Sequence, residues 1–374
     1  MKMKIYAKHF FMPEELREPL CIEEKDGIIT SIKSKKCTDA LNLEKFAVSA
    51  GFIDVHIHGF SGFDVSDGKT ESLLEMSKRL PKTGTTAFLP TFVAMPFEKL
   101  KNALTEMTDA AKDAEGALPL GFHIEGAFVN PEKCGAMNPH YFIEPSLEKA
   151  EALKKAGNVR MFTVAPELKN AISVIKFLYE NKISVSIGHS NASFRDAEKA
   201  FLSGASSITH FFNAMPHFHH RNTGVIGAGL VYPFYLQFIG DAVHTSAEVL
   251  KIMRFVKERL VLITDCTEAG GMPKGEYTLG DYKIFVDETS ARLKDGTLAG
   301  SILTMEKGVK NLVRIGGFSI EEAIRAASEN PAKSIGTKNI GKIKTGNLAN
   351  FTVLDDDLNV VMTVVKGKVV YDAR

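Results

Sequence analysis

Short apolar runs alternate with amphipathic stretches over most of the chain. The apolar runs are rich in Val, Ile, Phe and Thr and are bounded by Gly, Pro or Asn, as buried parallel strands are. Eight such runs end near Asp54, Thr91, Glu125, Ala165, Gly188, His210, Gly240 and Asp265. Amphipathic segments follow at residues 72–80, 97–111, 193–202 and 247–256, the third with Ser193 as a predicted N-cap. Eight successive β-then-α units predict an α/β fold, a closed (β/α)8 TIM barrel.

The two ends of the chain follow a different pattern. Residues 5–32 and 348–371 contain short alternating runs typical of antiparallel strands, and hairpin turns are predicted at Asp26-Gly27 and Lys366-Gly367. We therefore expect both ends to build one small β-sandwich domain, with the barrel inserted between them. The predicted boundaries are residues 1–49 plus 341–374 for the small domain and 50–340 for the barrel. The alternative, two loose terminal extensions, is disfavoured by the regular alternation.

Composition and charge exclude several classes of function. Lys and Arg number 46 and Asp and Glu number 45, so the formal net charge is +1. Proteins that bind nucleic acid or anionic membranes usually carry a basic excess, and neither partner is expected here. No signal peptide and no apolar run of the roughly 18 residues that a membrane helix needs can be recognised. The four cysteines form no CxxC pair, so we expect no disulfide framework and predict a cytoplasmic location.

Histidines and acids lie at the predicted carboxyl ends of the barrel strands, where active sites of such barrels form. His56 and His58 are two residues apart on a strand and share a face, so both imidazoles can reach one ion. The pair alone is a weak signal, because a core histidine is the usual alternative. Residues of the same kind end later strands: Glu125, His189, His210 and Asp265. Since imidazole and carboxylate bind divalent transition metals, the set predicts a metal centre, with His123 deeper and not a ligand.

Eight segments carry a resemblance to a known family, in that family's order: GFIDVHIHG, GFHIEGAF, GHSNA, THFFNAM, HHR, GDAVH, ITD and DGTLAGS. On these segments the chain resembles the amidohydrolase superfamily and, within it, the N-acetylglucosamine-6-phosphate deacetylases. The resemblance runs nearly end to end. Single segments are shared across the superfamily, whereas the combination of THFFNAM, HHR and DGTLAGS is specific to the sugar-phosphate deacetylases.

The resemblance implies a role for each matching residue. The ligands of the family's main metal match Glu125, His189 and His210, and a pair that holds a second metal in some members matches His56 and His58. The positions that bind the phosphosugar match Ala136, Met137, Asn213, Ala214, Arg221, His244, Leu298, Ala299 and Gly300. The cofactor implied is a divalent cation, with zinc favoured over iron, manganese or cobalt, in one or two copies per subunit.

The implied reaction is hydrolysis of the acetamide of N-acetyl-D-glucosamine 6-phosphate to glucosamine 6-phosphate and acetate. Asp265 matches the catalytic carboxylate and is predicted to take the proton of the attacking water and return it to the amine. His244 is predicted to contact the substrate near the tetrahedral oxyanion. Arg221 has the planar fork of donors suited to phosphate. Because it lies on a long predicted loop, we also expect a homodimer in which this loop reaches the neighbouring subunit.

The chain departs from the family's pattern at three places. Ala127 replaces a proline, Met137 replaces a frequent histidine, and Asn222-Thr223-Gly224 replaces Glu-Pro-Gly after HHR. The loss of a histidine beside the sugar keeps N-acetylgalactosamine 6-phosphate as an alternative substrate. Another amidase of the superfamily is a second alternative, although no lysine ends the fourth strand as in cyclic amidases. A non-catalytic binding module is the third, and it is disfavoured because every expected ligand position is filled.

Overall fold

The structure, a computed structural model, describes residues 2–7, 9–11, 20–34 and 37–374. At its centre, eight parallel strands follow one another in chain order around a barrel. The strands are β1 (Phe52–Ile57), β2 (Thr85–Phe92), β3 (Phe122–Phe128), β4 (Val159–Val164), β5 (Ser184–Ile187), β6 (Ser207–Ile208), β7 (Tyr235–Ile239) and β8 (Leu260–Ile263). A bridge between Ile57 and Cys266 joins the last strand to the first. The predicted (β/α)8 barrel is confirmed.

Helices cover the outside of the barrel. They are α1 (Thr70–Arg79), α2 (Phe97–Ala110), α3 (Leu147–Ala156), α4 (Ala171–Glu180), α5 (Phe194–Leu202), α6 (Gly224–Val231), α7 (Ala247–Ile252), α8 (Met305–Arg314), α9 (Ile320–Ala327) and α10 (Glu329–Ser334). Ser193 caps α5 in a capping box with Asp196, as its position predicts. Helix α7 is shorter than predicted, because the chain continues as a 3-10 helix with a non-helical Val256. No helix in the described ranges is long and apolar enough to cross a membrane.

Both faces of the barrel strands are buried, which explains their continuous apolar sequences. Side chains on the outer face, such as Phe88 and Phe162, pack against the helices in the largest apolar cluster. Side chains such as Val55, Leu89 and Val261 belong to a second cluster. Burying a polar side chain in this interior costs free energy unless the side chain is hydrogen-bonded or binds an ion. The buried polar residues at the strand ends are therefore informative.

Strands from both ends of the chain form two sheets. One contains Lys2–Ala7, Leu20–Lys25, Ile28–Lys33 and Leu41–Asn42, and the other contains His9–Phe11, Ala47–Ala50, Phe351–Leu354, Val360–Val365 and Lys368–Asp372. Apolar side chains of both sheets, including Ile22 and Val353, share one core, as expected of a sandwich.

Both hairpin turns form at the predicted dipeptides with positive φ. Two pairs of strands are parallel, contrary to the antiparallel expectation. Residues 12–19 lie outside the described ranges, and the domain boundaries stay a prediction.

The structure has one disulfide, between Cys21 and Cys37, which the sequence analysis did not predict. Cys21 pairs with Lys33 across the first hairpin, and Cys37 follows only four residues later. The hairpin thus brings two cysteines together that are 16 residues apart in the sequence. Cys134 and Cys266 are free.

A three-stranded sheet that the sequence pattern did not indicate follows β8. Its strands are Gly275–Leu279, Tyr282–Val286 and Ala291–Arg292. Leu279 and Ile284 of this sheet pack with Val93, Ala136 and Met137 in a separate apolar cluster. The cluster lies beside the carboxyl ends of the barrel strands, so the added sheet forms part of the wall around the site described next. The described residues also include the two-residue strands Gly59–Phe60, Phe63–Asp64 and Leu118–Pro119.

Candidate metal centre and cavity

Six of the predicted site residues meet at the carboxyl end of the barrel, and all are buried: His56, His58, Glu125, His189, His210 and Asp265. Their donor atoms form two groups. One group consists of Glu125, His189 and His210, and the other of Glu125, His56, His58 and Asp265. Glu125 is shared, with Oε1 facing the first pair of imidazoles and Oε2 the second.

Three of these residues occupy the same unusual backbone position. His189, His210 and Asp265 each lie two residues beyond the end of a barrel strand. Their φ angles are positive, at 48°, 26° and 52°. Positive φ is uncommon outside glycine and is concentrated at functional sites, where the surrounding structure maintains the strain. The repeated left-handed turn brings side chains from three separate strands to one point.

The separations of the donor atoms suit a transition metal. His189 Nε2 lies 3.0 Å from His210 Nε2, and Glu125 Oε1 lies 3.3 and 3.2 Å from these two nitrogens. In the second group, Glu125 Oε2 is 3.1 Å from His56 Nε2 and 3.3 Å from His58 Nε2. A tetrahedral ion with bonds of about 2.0–2.1 Å holds its ligand atoms about 3.3–3.4 Å apart. Both groups are close to that spacing.

Hydrogen bonds on the far side of each ring orient the four imidazoles. Every Nδ1 faces an oxygen acceptor: Gln237 Oε1 at 3.1 Å for His56, Thr91 O at 2.9 Å for His58, Lys133 O at 2.6 Å for His189 and Asn213 O at 3.2 Å for His210. An acceptor at Nδ1 keeps the proton on that nitrogen, so a neutral ring presents a lone pair at Nε2. Four lone pairs therefore converge beside the carboxylates, an arrangement that suits a cation bound between them.

Charge and burial agree with this interpretation. Glu125 Oε1 is buried and receives no hydrogen bond from the described residues. Burial alone would lower the pKa of His58, yet Asp265 and Glu125 raise it well above its ordinary value. The carboxylates thus attract positive charge. Protons supply this charge in the metal-free chain, and a bound metal ion displaces those protons. The residues fit one or two divalent transition ions.

His123 belongs to neither group. It is fully buried, its Nε2 lies 2.8 Å from Thr163 Oγ1, and its ring packs 4.7 Å from that of His56. Burial, with further opposition from the charge of His56, lowers the pKa of His123 well below its ordinary value. It is a neutral ring beneath the ligands.

A cavity of about 330 Å³ opens beside the two groups. Its wall contains seven of the nine predicted substrate-binding residues: Ala136, Met137, Asn213, Ala214, His244, Leu298 and Gly300. Gly300 has φ +53°, and a Cβ atom there would lie 2.7 Å from Thr267 Cγ2, so only glycine fits. Ala299 is fully buried and does not reach the wall. Arg221 does not line it either, because it is exposed on the loop before α6.

Several residues of this region were not predicted from the sequence. The wall also contains Val93, Glu132, Lys133, Leu279 and Thr297. Gln237 supports His56, and Asp241 contacts His244. An acid three residues before the histidine of GDAVH, and a lone polar residue in the buried strand YLQFI, are the signals that would have indicated the last two.

Comparisons with known proteins agree with the geometry. The model of the amidohydrolase family matches residues 47–370. The N-acetylglucosamine-6-phosphate deacetylase of Vibrio furnissii is 35% identical over 359 residues, which cover 94% of this chain and 90% of that protein. The crystal structure of the Thermotoga maritima deacetylase of the same name superposes with a TM-score of 0.90 at 34% identity, over all of both chains.

The structure of a third similar protein contains a bound ligand. It is a variant of the Mycobacterium smegmatis N-acetyl-D-glucosamine-6-phosphate deacetylase in complex with N-acetyl-D-glucosamine 6-phosphate. It superposes with a TM-score of 0.92 at 28% identity and covers 99% of each chain. On the family model and on these identities, the chain belongs to the amidohydrolase family and, within it, to the N-acetylglucosamine-6-phosphate deacetylases.

Proposed function

We propose that this chain hydrolyses the acetamide of N-acetyl-D-glucosamine 6-phosphate, releasing glucosamine 6-phosphate and acetate. The observation that carries the proposal is the convergence of four Nε2 lone pairs and two carboxylates beside a cavity of about 330 Å³. That volume lies in the range of small-molecule sites. An amide is a poor electrophile, so its hydrolysis needs an activated water, stabilisation of the oxyanion and a proton for the amine.

A divalent ion, when bound, supplies Lewis acidity and lowers the pKa of a coordinated water. Asp265 accepts the proton of the attacking water and then donates it to the departing amine. Burial would raise the pKa of Asp265, but the charge of His56 and the hydrogen bond from His58 hold it at about 2. The carboxylate is therefore ionised in the metal-free chain. His244 lies in the cavity wall, where its Nε2 is available to the oxyanion or to the sugar phosphate.

We propose two ions per chain. Glu125, His189 and His210 hold the main ion, and His56 and His58, with the second oxygen of Glu125 and with Asp265, hold the other. Zinc is our first choice because imidazole and carboxylate are its usual ligands at catalytic sites, with iron, manganese and cobalt as alternatives. Elemental analysis of the purified protein distinguishes one ion from two.

We propose a homodimer in which Arg221 of each subunit reaches the other subunit's cavity. The support for this is that Arg221 is exposed on the loop before α6 and does not line its own chain's cavity. A cytoplasmic location also stays a proposal. A phosphorylated substrate supports it, whereas the Cys21–Cys37 bond weighs against it because disulfides are rare in the cytosol.

An acetate-release assay tests the function. The substrates are the 6-phosphates of N-acetylglucosamine and N-acetylgalactosamine and the two unphosphorylated sugars. We expect the highest kcat/KM with N-acetylglucosamine 6-phosphate. Preference for the galactosamine epimer would assign the alternative substrate, which is considered because Met137 in the wall replaces a histidine frequent in the family. Release from none of the four by metal-loaded protein would reject the deacetylase and favour another amidase or a non-catalytic module.

A further inference from the structure

A carboxylate outside the two metal groups, that of Glu167, binds the segments around one of the metal ligands. Glu167 lies three residues beyond the end of β4, and both of its oxygens accept hydrogen bonds. The side-chain amide of Asn130 and the backbone N–H of Asn191 donate to Oε1 at 2.9 and 2.6 Å. The hydroxyl of Ser190 donates to Oε2 at 2.7 Å. All three donors are uncharged, so Glu167 acts on them as a hydrogen-bond acceptor.

Two of the three donors follow His189 directly in the sequence. Because Ser190 and Asn191 both bind Glu167, the chain is held immediately after the metal ligand. His189 has a φ of 48°, a strained conformation that persists only where the surrounding contacts maintain it. The Ser190 hydroxyl is buried and also accepts the Ala192 N–H at 2.9 Å. Glu167 therefore fixes the left-handed turn that directs His189 towards the ion.

The third donor belongs to the turn that orients the His189 ring. Asn130 caps the short 3-10 turn Pro131–Lys133, and its N–H donates to the His189 carbonyl at 2.9 Å. The Lys133 N–H donates to Asn130 O at 2.9 Å, and the Lys133 carbonyl accepts from His189 Nδ1 at 2.6 Å. The acceptor that keeps the proton on Nδ1 is thus part of a turn that Glu167 holds through Asn130.

We infer that Glu167 is a positioning residue for His189 and, through it, for the ion that Glu125, His189 and His210 hold. One carboxylate fixes both the backbone of this ligand and the turn that accepts the hydrogen bond of its ring. Neither can shift without breaking a contact to Glu167. The inference rests on the ligand assignment made under the proposed function, and it does not depend on which amide the chain hydrolyses.

The test is zinc titration of protein freed of metal by a chelator, comparing Glu167→Ala and Glu167→Gln with the wild type. Glu167→Ala should lower the affinity for the ion at His189 about 10- to 100-fold, as the loss of outer partners of metal-binding histidines does. Glu167→Gln should lower it less than about fivefold, because its amide oxygen can still accept two of the three bonds. The affinity for the ion at His56 and His58 should change less than about twofold in both variants.

Glu144→Ala is the matched control. Glu144 contacts Lys169 and Asn170, which follow Glu167 in the same loop, and its side chain is 60% exposed. Its removal should leave both zinc affinities unchanged. Thermal unfolding of the metal-free proteins shows whether Glu167→Ala remains folded. If it does not, Ser190→Ala decides, because it removes the bond to Oε2 alone. A loss of about fivefold at the main ion only then supports the inference, and unchanged affinity refutes it.

The remaining outcomes separate this inference from the proposed reaction. A wild type that releases no acetate, with a selective loss of the main ion in Glu167→Ala, refutes the reaction and supports the inference. An active wild type whose Glu167→Ala variant loses both ions equally, or neither, refutes the inference and leaves the reaction in place. A Glu167→Gln variant that loses as much as Glu167→Ala also refutes it, because the charge and not the hydrogen bonds would then matter.

Discussion

The carboxylate of Asp241 lies 2.6 Å from Nδ1 of His244. Its other oxygen accepts the backbone N–H groups of Val243 and His244 at 2.8 and 2.9 Å, so the acid is fixed by its own turn. Burial would raise the pKa of Asp241, but the hydrogen bond and charge of His244 lower it instead. Asp241 therefore remains an anion that holds a proton on Nδ1 of His244 and leaves Nε2 to face the cavity.

Asp241→Asn should reduce kcat/KM about 10- to 100-fold, because the amide keeps the shape but loses the charge that orients and supports His244. Steady-state kinetics of the metal-loaded variant measure the effect. Asp356→Asn is a matched control, since Asp356 is an exposed acid far along the chain. Unchanged kcat/KM in Asp241→Asn would show that His244 needs no anionic partner.

Asp265→Asn should lower turnover by about two to four orders of magnitude, the usual contribution of a positioned acid and base. The group formed by Glu125, His189 and His210 does not include Asp265, so at least one ion should stay bound. Single-turnover kinetics and elemental analysis of the same sample check both parts. Near-normal turnover would assign the proton transfer to another residue.

The alternation of strands and helices could be predicted from the sequence because it depends on local patterns. Apolar runs of strand length, turn residues such as Asp26-Gly27 and the cap at Ser193 each act within a few neighbours. The carboxyl ends of parallel strands meet at one rim, so the strand-end position of His189 or Asp265 was enough to place it near the others.

Contacts between distant segments could not be predicted in this way. Gln237 supports His56 from 181 residues away, and nothing near either residue indicates the pairing. The Cys21–Cys37 bond depends on how one hairpin returns. Lys133 carries no signal of its own either, because its position follows from a backbone contact to His189 that only the fold creates.

Gln237→Leu should lower the affinity for the ion at His56 and His58 about 10- to 100-fold and leave the other ion in place. The substitution removes the acceptor at His56 Nδ1, and outer partners of metal-binding histidines contribute about that much to affinity. Zinc titration of protein freed of metal by a chelator measures the two sites separately. Thr91→Ala is the comparison variant, because the acceptor for His58 is the backbone carbonyl of residue 91 and survives the change. Equal loss at both sites in Gln237→Leu would contradict the assignment of ligands to two groups.

The proposed homodimer gives the most specific expectation for Arg221. Arg221→Ala should raise KM for the phosphorylated sugar with little change in kcat, because the guanidinium contributes to binding and not to the proton transfers. If Arg221 acts across a homodimer interface, Arg221→Ala and Asp265→Asn complement each other. A mixed dimer then has one cavity with both residues intact and one with neither. With equal amounts and free exchange, half of the dimers are mixed, so about a quarter of the wild-type activity should return at low substrate concentration. No recovery in dimers shown to have exchanged, or a fully active monomer in analytical ultracentrifugation, would place Arg221 outside the partner's site.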